Sequence, residues 1–412
     1  MSEAAAGGER VPAGFCRDGD GRLLLAGRPA AELVAAAGDT PLFVYVAGLL
    51  QTRVAAFRAA MPGDIHLHYA VKANPFPPLM AHMTGLVDGF DIASAGEMAK
   101  ALEAGMPADR ISFAGPGKRD RELQAAIEAG VTLNIESEGE LGRAGAIAEA
   151  LGKTARVALR VNPPFQLKGS GMKMGGNAAP FGVDAAMAPP LLRRMQQAPF
   201  ELRGLHVFAG SQALSAPAIL EAQAATVVLA DELSREAGVE LPFVNLGGGF
   251  GVPYFPGDRE LDLAELGDGL TAILAGRAPT LRNARFALEL GRWLVAEAGV
   301  YLCRIVDRKR SGGETFLVTD GGLHHQLAAT GNFGTVIRRN YPVVNASRGG
   351  PAAETASVVG CLCTPLDRLA DKVEWPQSEI GDLVAVFMAG AYGRSASPEA
   401  FLGHPPALEI LV

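Results

Sequence analysis

The chain has 412 residues, 49% apolar and 20% charged, enough to bury one large core and a smaller second one, so two domains are expected. Its 37 basic and 44 acidic residues leave a net charge of -7 spread along the chain, with no basic block to track a phosphate backbone, which argues against nucleic acid as a partner. Four cysteines (Cys16, Cys303, Cys361, Cys363) are too few for a disulfide framework, and the Cys-Leu-Cys pair lacks further ligands at zinc-site spacing. With no secretory leader and no apolar run near the ~20 residues of a membrane span, a reduced cytoplasmic setting without a metal is expected.

In chain order, residues 1–42 read as a loose tail followed by a β-like stretch, "GRLLLAGRP", expected to join a later β domain. From residue 66 short apolar or β-branched runs alternate with stretches of helical period, the sign of repeated βα units. The runs are "HLHYAVK" (66–72), "GFDIAS" (89–94), "ISFAG" (111–115), "TLNIES" (132–137), "VALRVN" (157–162), "GLHVFAG" (204–210), "FVNLGGG" (243–249) and "FALELGR" (286–292). Eight such units make a closed (β/α)8 barrel over residues 43–292, with a doubly wound open sheet as the alternative. Residues 163–182, "PPFQLKGSGMKMGGNAAPFG", form a long Gly-rich loop between the fifth strand and its helix. Beyond 292, "TFLVTD", "ASVVGCLC", "DLVAVF" and "ALEILV" are short β-type runs broken by Gly, Pro and Asp, so a mainly β domain is expected over 293–412.

On this count Lys72, Asp91, Glu136, Arg160, Asn162, Ser211, Gly247, Gly248, Gly249, Glu289 and Arg292 all fall at or just past C-terminal strand ends, the face where barrel enzymes hold their chemistry. Singly each has a dull explanation, a solvated strand-end lysine or a structural ion pair. Together on one rim they point to a site. "LGGGFG" strips side chains from consecutive amides that could approach an anion, and the loops after the seventh and eighth strands are where barrels often hold phosphate. It lacks the Lys-Ser/Thr of a nucleotide P-loop and the Gly-x-Gly-x-x-Gly spacing, so neither ATP nor NAD is supported. A phosphate cradle facing a strand-end lysine suggests pyridoxal 5'-phosphate: the lysine forms a Schiff base, and a carboxylate, Glu289, keeps the pyridine nitrogen protonated.

"YAVKANP", "GFDIASAGE", "FAGPGK", "LRVNP", "LGGGFG", "ELGRWLVA", "GCLCTPLD" and "GAYG" occur in the order found in the alanine-racemase-fold, pyridoxal phosphate-dependent decarboxylases, and residues 40–412 resemble that family, which includes diaminopimelate and ornithine decarboxylases. The resemblance implies a barrel followed by a β domain, working as a head-to-tail homodimer with active sites at the subunit interface. It implies that Lys72 carries the cofactor, Glu289 faces the pyridine nitrogen, and Asp91, Arg160, Phe208, Ser211, Gly247, Gly248, Gly249, Gly291, Arg292 and Tyr392 contact the cofactor. Cys363 resembles the cysteine that the partner subunit lends to return a proton to the α-carbon, although a free cysteine is more often a buried small hydrophobe. Lys173, Thr364 and Asp367 are the candidate substrate contacts.

Departures from the family pattern bear on the substrate. Phe208 stands where diaminopimelate decarboxylases have a ring-stacking histidine, and an aromatic ring can still stack there; His206, two residues back, reads as a satisfied interior histidine. Thr364 replaces the acidic residue that the family aims at a distal amine, and Ala328 stands roughly where an arginine would hold a distal carboxylate. "FAGPGK", "KMGG", "LGGGFGVPYF", "DGGLHH", "CTPLD", "GAYG" and "SPEAFLGHPPALEIL" are most similar to the branch that decarboxylates a glutamyl group on an acyl carrier protein and to exosortase-associated decarboxylases. The function implied is loss of the α-carboxylate from an amino acid or a carrier-bound aminoacyl group. Its rivals are lysine-forming diaminopimelate decarboxylation, racemisation, which would need a tyrosine in place of Cys363, and a non-catalytic binding role like that of the antizyme inhibitors.

Overall fold

The computed structural model describes residues 11–169, 171–173, 175–176, 178–331 and 339–412, the side chains of Met172 and Lys173 excepted. Contacts divide it into two units, residues 52–253 with 259–294, and residues 1–51 with 254–258 and 295–412.

The first unit contains eight parallel strands: β1 (His66–Ala70), β2 (Gly89–Ile92), β3 (Ile111–Phe113), β4 (Thr132–Ile135), β5 (Ala155–Asn162), β6 (Phe200–Val207), β7 (Phe243–Asn245) and β8 (Arg285–Leu290). Each pairs with its successor, and β8 returns to β1 with Glu289 opposite His68. The barrel is therefore closed, and the open doubly wound sheet is excluded. One helix follows each strand: α1 (Pro77–Thr84), α2 (Ala95–Glu103), α3 (Asp120–Ala129), α4 (Glu138–Leu151), α5 (Ala188–Met195), α6 (Ala216–Ala237), α7 (Leu263–Ala275) and α8 (Arg292–Val295). Local sequence sets these boundaries. Ser94, Ser137, Ser215 and Asp262 accept the amide three residues on as N-caps, while Gly130, Gly152 and Gly238 end helices in the left-handed region. Leu67, Tyr69, Phe90, Phe113, Leu133 and Leu159 are fully buried in the strands.

The second unit is built on β9 (Gly299–Ser311), β10 (Glu314–Thr319), β11 (Val343–Asn345), β12 (Glu354–Val359), β13 (Arg368–Trp375), β14 (Leu383–Val386) and β15 (Leu408–Leu411), in the order β11-β14-β9-β10-β12-β13. The strand Leu42–Tyr45 pairs with both β9 and β15, completing an eight-stranded sheet. "GRLLLAGRP" also lies in this unit, where the Leu23 amide donates to the Ala346 carbonyl at 2.9 Å, but it stays outside the large sheet. Leu23–Leu25 instead forms a small three-stranded sheet with Cys16–Arg17 and Arg28–Pro29. Leu42–Tyr45 is apolar at every position and buried throughout, as a central strand requires, whereas Gly27 and the left-handed Ala26 turn the earlier stretch back on itself. The expected boundary at residue 43 thus cuts a strand of the β unit. Among the described residues no helix is long and apolar enough to cross a membrane.

Candidate active site

β1 stops at Ala70, and Pro75 opposes helical continuation, so Val71–Ala73 makes one short turn centred on Lys72. The Asn74 amide donates to the Val71 carbonyl, and the Tyr69 hydroxyl donates to the Asn74 carbonyl at 2.8 Å. Lys72 is thereby held on the rim, its Nζ 3.9 Å from Glu289 Oε1 and 5.2 Å from the centre of the Phe208 ring. The Lys72 side chain keeps 41% of its exposure and Glu289 only 7%. The amine can be reached from solvent; the carboxylate cannot.

Strand alternation in β8 turns Glu289 inward, where its second oxygen lies 2.9 Å from His206 Nε2. Burial alone would push this carboxyl up. The His206 hydrogen bond, with the positive potential of Lys72, His206 and Arg160, outweighs burial and holds it at about 2. His206 therefore has a specific partner at the site, which the sequence reading missed. Its Nδ1 has no hydrogen-bond partner among the described residues. In β6 His206 lies in register with Arg160 of β5 and Asn245 of β7, a cross-strand placement that local sequence does not carry.

Deeper polar groups form a second layer. Ser112 donates to Asp91, Asn134 Nδ2 donates to Ser112 Oγ at 3.0 Å, and His68 Nδ1 sits 3.2 Å from Asp91 Oδ2. Burial opposes charge on His68, yet Asp91 beside it raises its pKa. Below lies a cavity of about 400 Å³ in the N-terminal half of the barrel, lined in part by His66, His68, Ser112, Asn134, His206 and Asn245. Many barrels fill this space with Val, Ile and Leu.

Arg160 is engaged by Glu136 at 2.8 Å, with both side chains buried, and its guanidinium lies 5.0 Å from the Phe181 ring centre. The Gly115 and Gly182 amides donate to Glu136, tying the start of "GPGK" and the end of the 163–182 loop to this pair. Backbone pairing of Met172–Lys173 with Gly210–Ser211 brings that loop to the expected phosphate contact Ser211; the Lys173 side chain lies outside the described residues. Glu97, also missed, accepts the Ala93 amide at 2.7 Å while Ser94 caps its own amide. Burial raises its pKa against the lowering influence of that bond and of Lys72. The Ser-x-x-Glu capping pattern was legible there.

The glycine loop packs closely on the barrel end. A Cβ at Gly247, whose φ is +72°, would stand 2.5 Å from the Val207 carbonyl oxygen, and one at Gly248 would stand 1.9 Å from that of Glu289. The Gly247 amide already donates to Asn245 Oδ1 at 2.9 Å, and its carbonyl accepts the Glu289 amide at 2.8 Å. Glycine is thus demanded by packing as well as by any anion. Gly291 and Arg292 follow β8, with Arg292 opening α8.

The remaining candidates belong to the β unit. Cys363 is exposed in the loop between β12 and β13, so it is not the buried small hydrophobe that free cysteine usually becomes. In the same loop the Leu366 amide donates to Thr364 Oγ1 at 3.3 Å. Asp367 is buried and accepts the Leu323 and Leu362 amides at 2.6 and 2.9 Å, which gives its carboxylate a loop-bracing task. Tyr392 follows β14 in a left-handed conformation, with φ +53°.

The barrel rim thus carries an accessible amine, a buried ionised carboxylate, an aromatic face and a side-chain-free loop. Residues 47–296 match the pyridoxal-dependent decarboxylase family, pyridoxal binding domain. The chain belongs to that family. It is 37% identical to L-glutamyl-(BtrI acyl-carrier protein) decarboxylase of Niallia circulans, over 90% of this chain and 89% of that protein. It is also 33% identical to diaminopimelate decarboxylase of Aquifex aeolicus, over 95% and 91%. Among solved structures it is similar to diaminopimelate decarboxylase from Helicobacter pylori complexed with L-lysine, with a TM-score of 0.83 and 27% identity over 93% of this chain and 94% of that one. The rim suits the pyridoxal group that the family binds, and the decarboxylase relatives make this chain a lyase. None of these relatives is a racemase.

Proposed function

We propose that this chain uses pyridoxal 5'-phosphate to remove the α-carboxylate of an aminoacyl substrate whose side-chain carboxyl is masked, a glutamyl thioester on a carrier protein being the favoured form. The observation that carries the choice is a pair of neutral residues, Thr364 in place of an acid and Ala328 in place of an arginine, while the Asp367 carboxylate is already engaged by two backbone amides. A free distal ammonium or carboxylate would find no counter-charge at Thr364 or Ala328. The likeness to the Niallia circulans enzyme supports the same reading. Diaminopimelate decarboxylation is the second reading, supported by the 33% identity to the Aquifex aeolicus enzyme.

In this account the bound cofactor supplies an electron-withdrawing ring conjugated to the substrate's α-carbon. Lys72, with its accessible rim amine, would hold the cofactor covalently. Glu289, ionised and buried, would keep a proton on the ring nitrogen, and His206 holds Glu289 in place. Phe208 offers a flat apolar face, while Ser211, the amides around Gly247–Gly249, Arg292 and Tyr392 serve the phosphate; Asp91 and Arg160 order the layer beneath. Cys363 of a second copy returns the proton to the α-carbon, so the working form is a homodimer. Lys72→Ala should lose both the visible absorbance of lysine-linked cofactor and all carbon dioxide release. A variant retaining that absorbance would remove Lys72 from this role.

A further inference from the structure

We infer that His324, Cys361 and His404 form a site for a single zinc ion in the β unit. The three come from separate loops, after β10, after β12 and just before β15, and one ligand atom from each lies within 4.8 Å of the others. Cys361 Sγ is 3.9 Å from His404, and the His324 and His404 ring centres are 5.2 Å apart.

The decisive feature is His324. It is fully buried, yet neither ring nitrogen has a hydrogen-bond partner among the described residues. A buried imidazole left so is costly. Its neighbour His325 shows the ordinary solution, with Nδ1 3.1 Å from the Tyr301 hydroxyl and Nε2 3.0 Å from the Pro405 carbonyl oxygen. Two adjacent histidines thus have opposite fates, and the unsatisfied one stands beside a thiol and a second imidazole.

One sulfur and two nitrogens suit a borderline-soft divalent ion and disfavour magnesium or calcium. Tetrahedral zinc sets such ligands about 3.3–3.7 Å apart, so side-chain movements on the order of 1 Å close the site. His404 and Cys361 are half-buried, so an ion can reach them from solvent, and a water would complete the tetrahedron. On binding, Cys361 releases its thiol proton to solvent and the sulfur takes up the ion; nothing is oxidised or reduced. Because Cys361 is two residues from Cys363, an occupied site would fix the loop that carries Cys363.

The test uses the full-length holoenzyme, stripped with a chelator and titrated with Zn²⁺ against a chromophoric competitor, and with Co²⁺ by visible spectroscopy. The wild type should bind one ion per chain, and Co²⁺ should give tetrahedral d–d bands with a sulfur-to-cobalt charge-transfer band. Cys361→Ser should lose the charge-transfer band, His404→Ala should weaken Zn²⁺ at least tenfold, and Cys363→Ala should bind as the wild type does. Metal-free melting curves identify any variant that fails to fold. If Cys361→Ser does, His404→Ala decides. Absence of stoichiometric binding in the wild type, binding unchanged in His404→Ala, or loss of binding in Cys363→Ala overturns the site.

Discussion

Replacing Glu289 by glutamine removes one charge while keeping the side chain's shape and an oxygen for His206. A carboxyl held at about 2 rather than its ordinary 4.5 is kept ionised by about 3 kcal/mol, and the structure names the sources, His206 at 2.9 Å first and the Lys72 ammonium at 3.9 Å after it. Its folded pKa lies below the unfolded one, so the carboxylate stabilises the fold fully above pH 4.5, and this contribution is lost as pH falls towards 2. By pH 3 about 2 kcal/mol of it should be gone. Urea denaturation of cofactor-free wild type and Glu289→Gln at pH 7 and pH 3 isolates this term as the difference between them, since other carboxyls titrate in both. In the loaded enzyme, turnover of the variant should fall at least roughly tenfold, because a neutral amide cannot keep the ring nitrogen protonated. Parallel acid profiles with undiminished turnover would refute both the ionised state and the role assigned to Glu289.

Three other outcomes are expected. Lys118 and Glu140 form an ion pair at 2.8 Å with both side chains almost fully buried; Lys118→Met should cost about 3–5 kcal/mol in urea denaturation. The double variant Lys118→Met/Glu140→Leu should recover most of that loss, and a double variant no better than the single would mean the pair is not the cause. Gly248→Ala must displace the end of β8, because its Cβ would stand 1.9 Å from the Glu289 carbonyl oxygen. It should lose about 1–3 kcal/mol and retain cofactor poorly in equilibrium dialysis, whereas wild-type melting and full occupancy would contradict that packing. Cys363→Ala, at an exposed position, should fold and bind cofactor normally yet release product slowly or with misplaced protonation; unchanged product formation would assign the proton to another acid.

The barrel was legible because each strand run ends in residues that stop it. Asn74 and Pro75 after "HYAVK" and the glycines after "FVNL" set both the strand boundaries and the rim, so Lys72 and Glu289 could be placed from sequence spacing. Contacts made across the barrel were not. His206 meets Glu289 from a strand 83 residues away, and period-two alternation says only that it faces inward. Glu97 announced itself through its cap with Ser94, but nothing local revealed that its pKa would respond to Lys72. The strand Leu42–Tyr45 reads equally well as the start of the barrel, and only its pairing with β9 and β15 moves it to the β unit. For the same reason His324, Cys361 and His404 escape a search by ligand spacing: three loops far apart in sequence bring them together.

The account rests most heavily on Thr364 and Ala328 standing where the family pattern has charged residues, and one measurement tests that directly: carbon dioxide release from glutamyl thioester on a carrier protein, run beside free diaminopimelate, ornithine, lysine, arginine and glutamate. Release from the carrier-bound thioester, with little from any free amino acid, is the predicted result. Release from free diaminopimelate alone would contradict it.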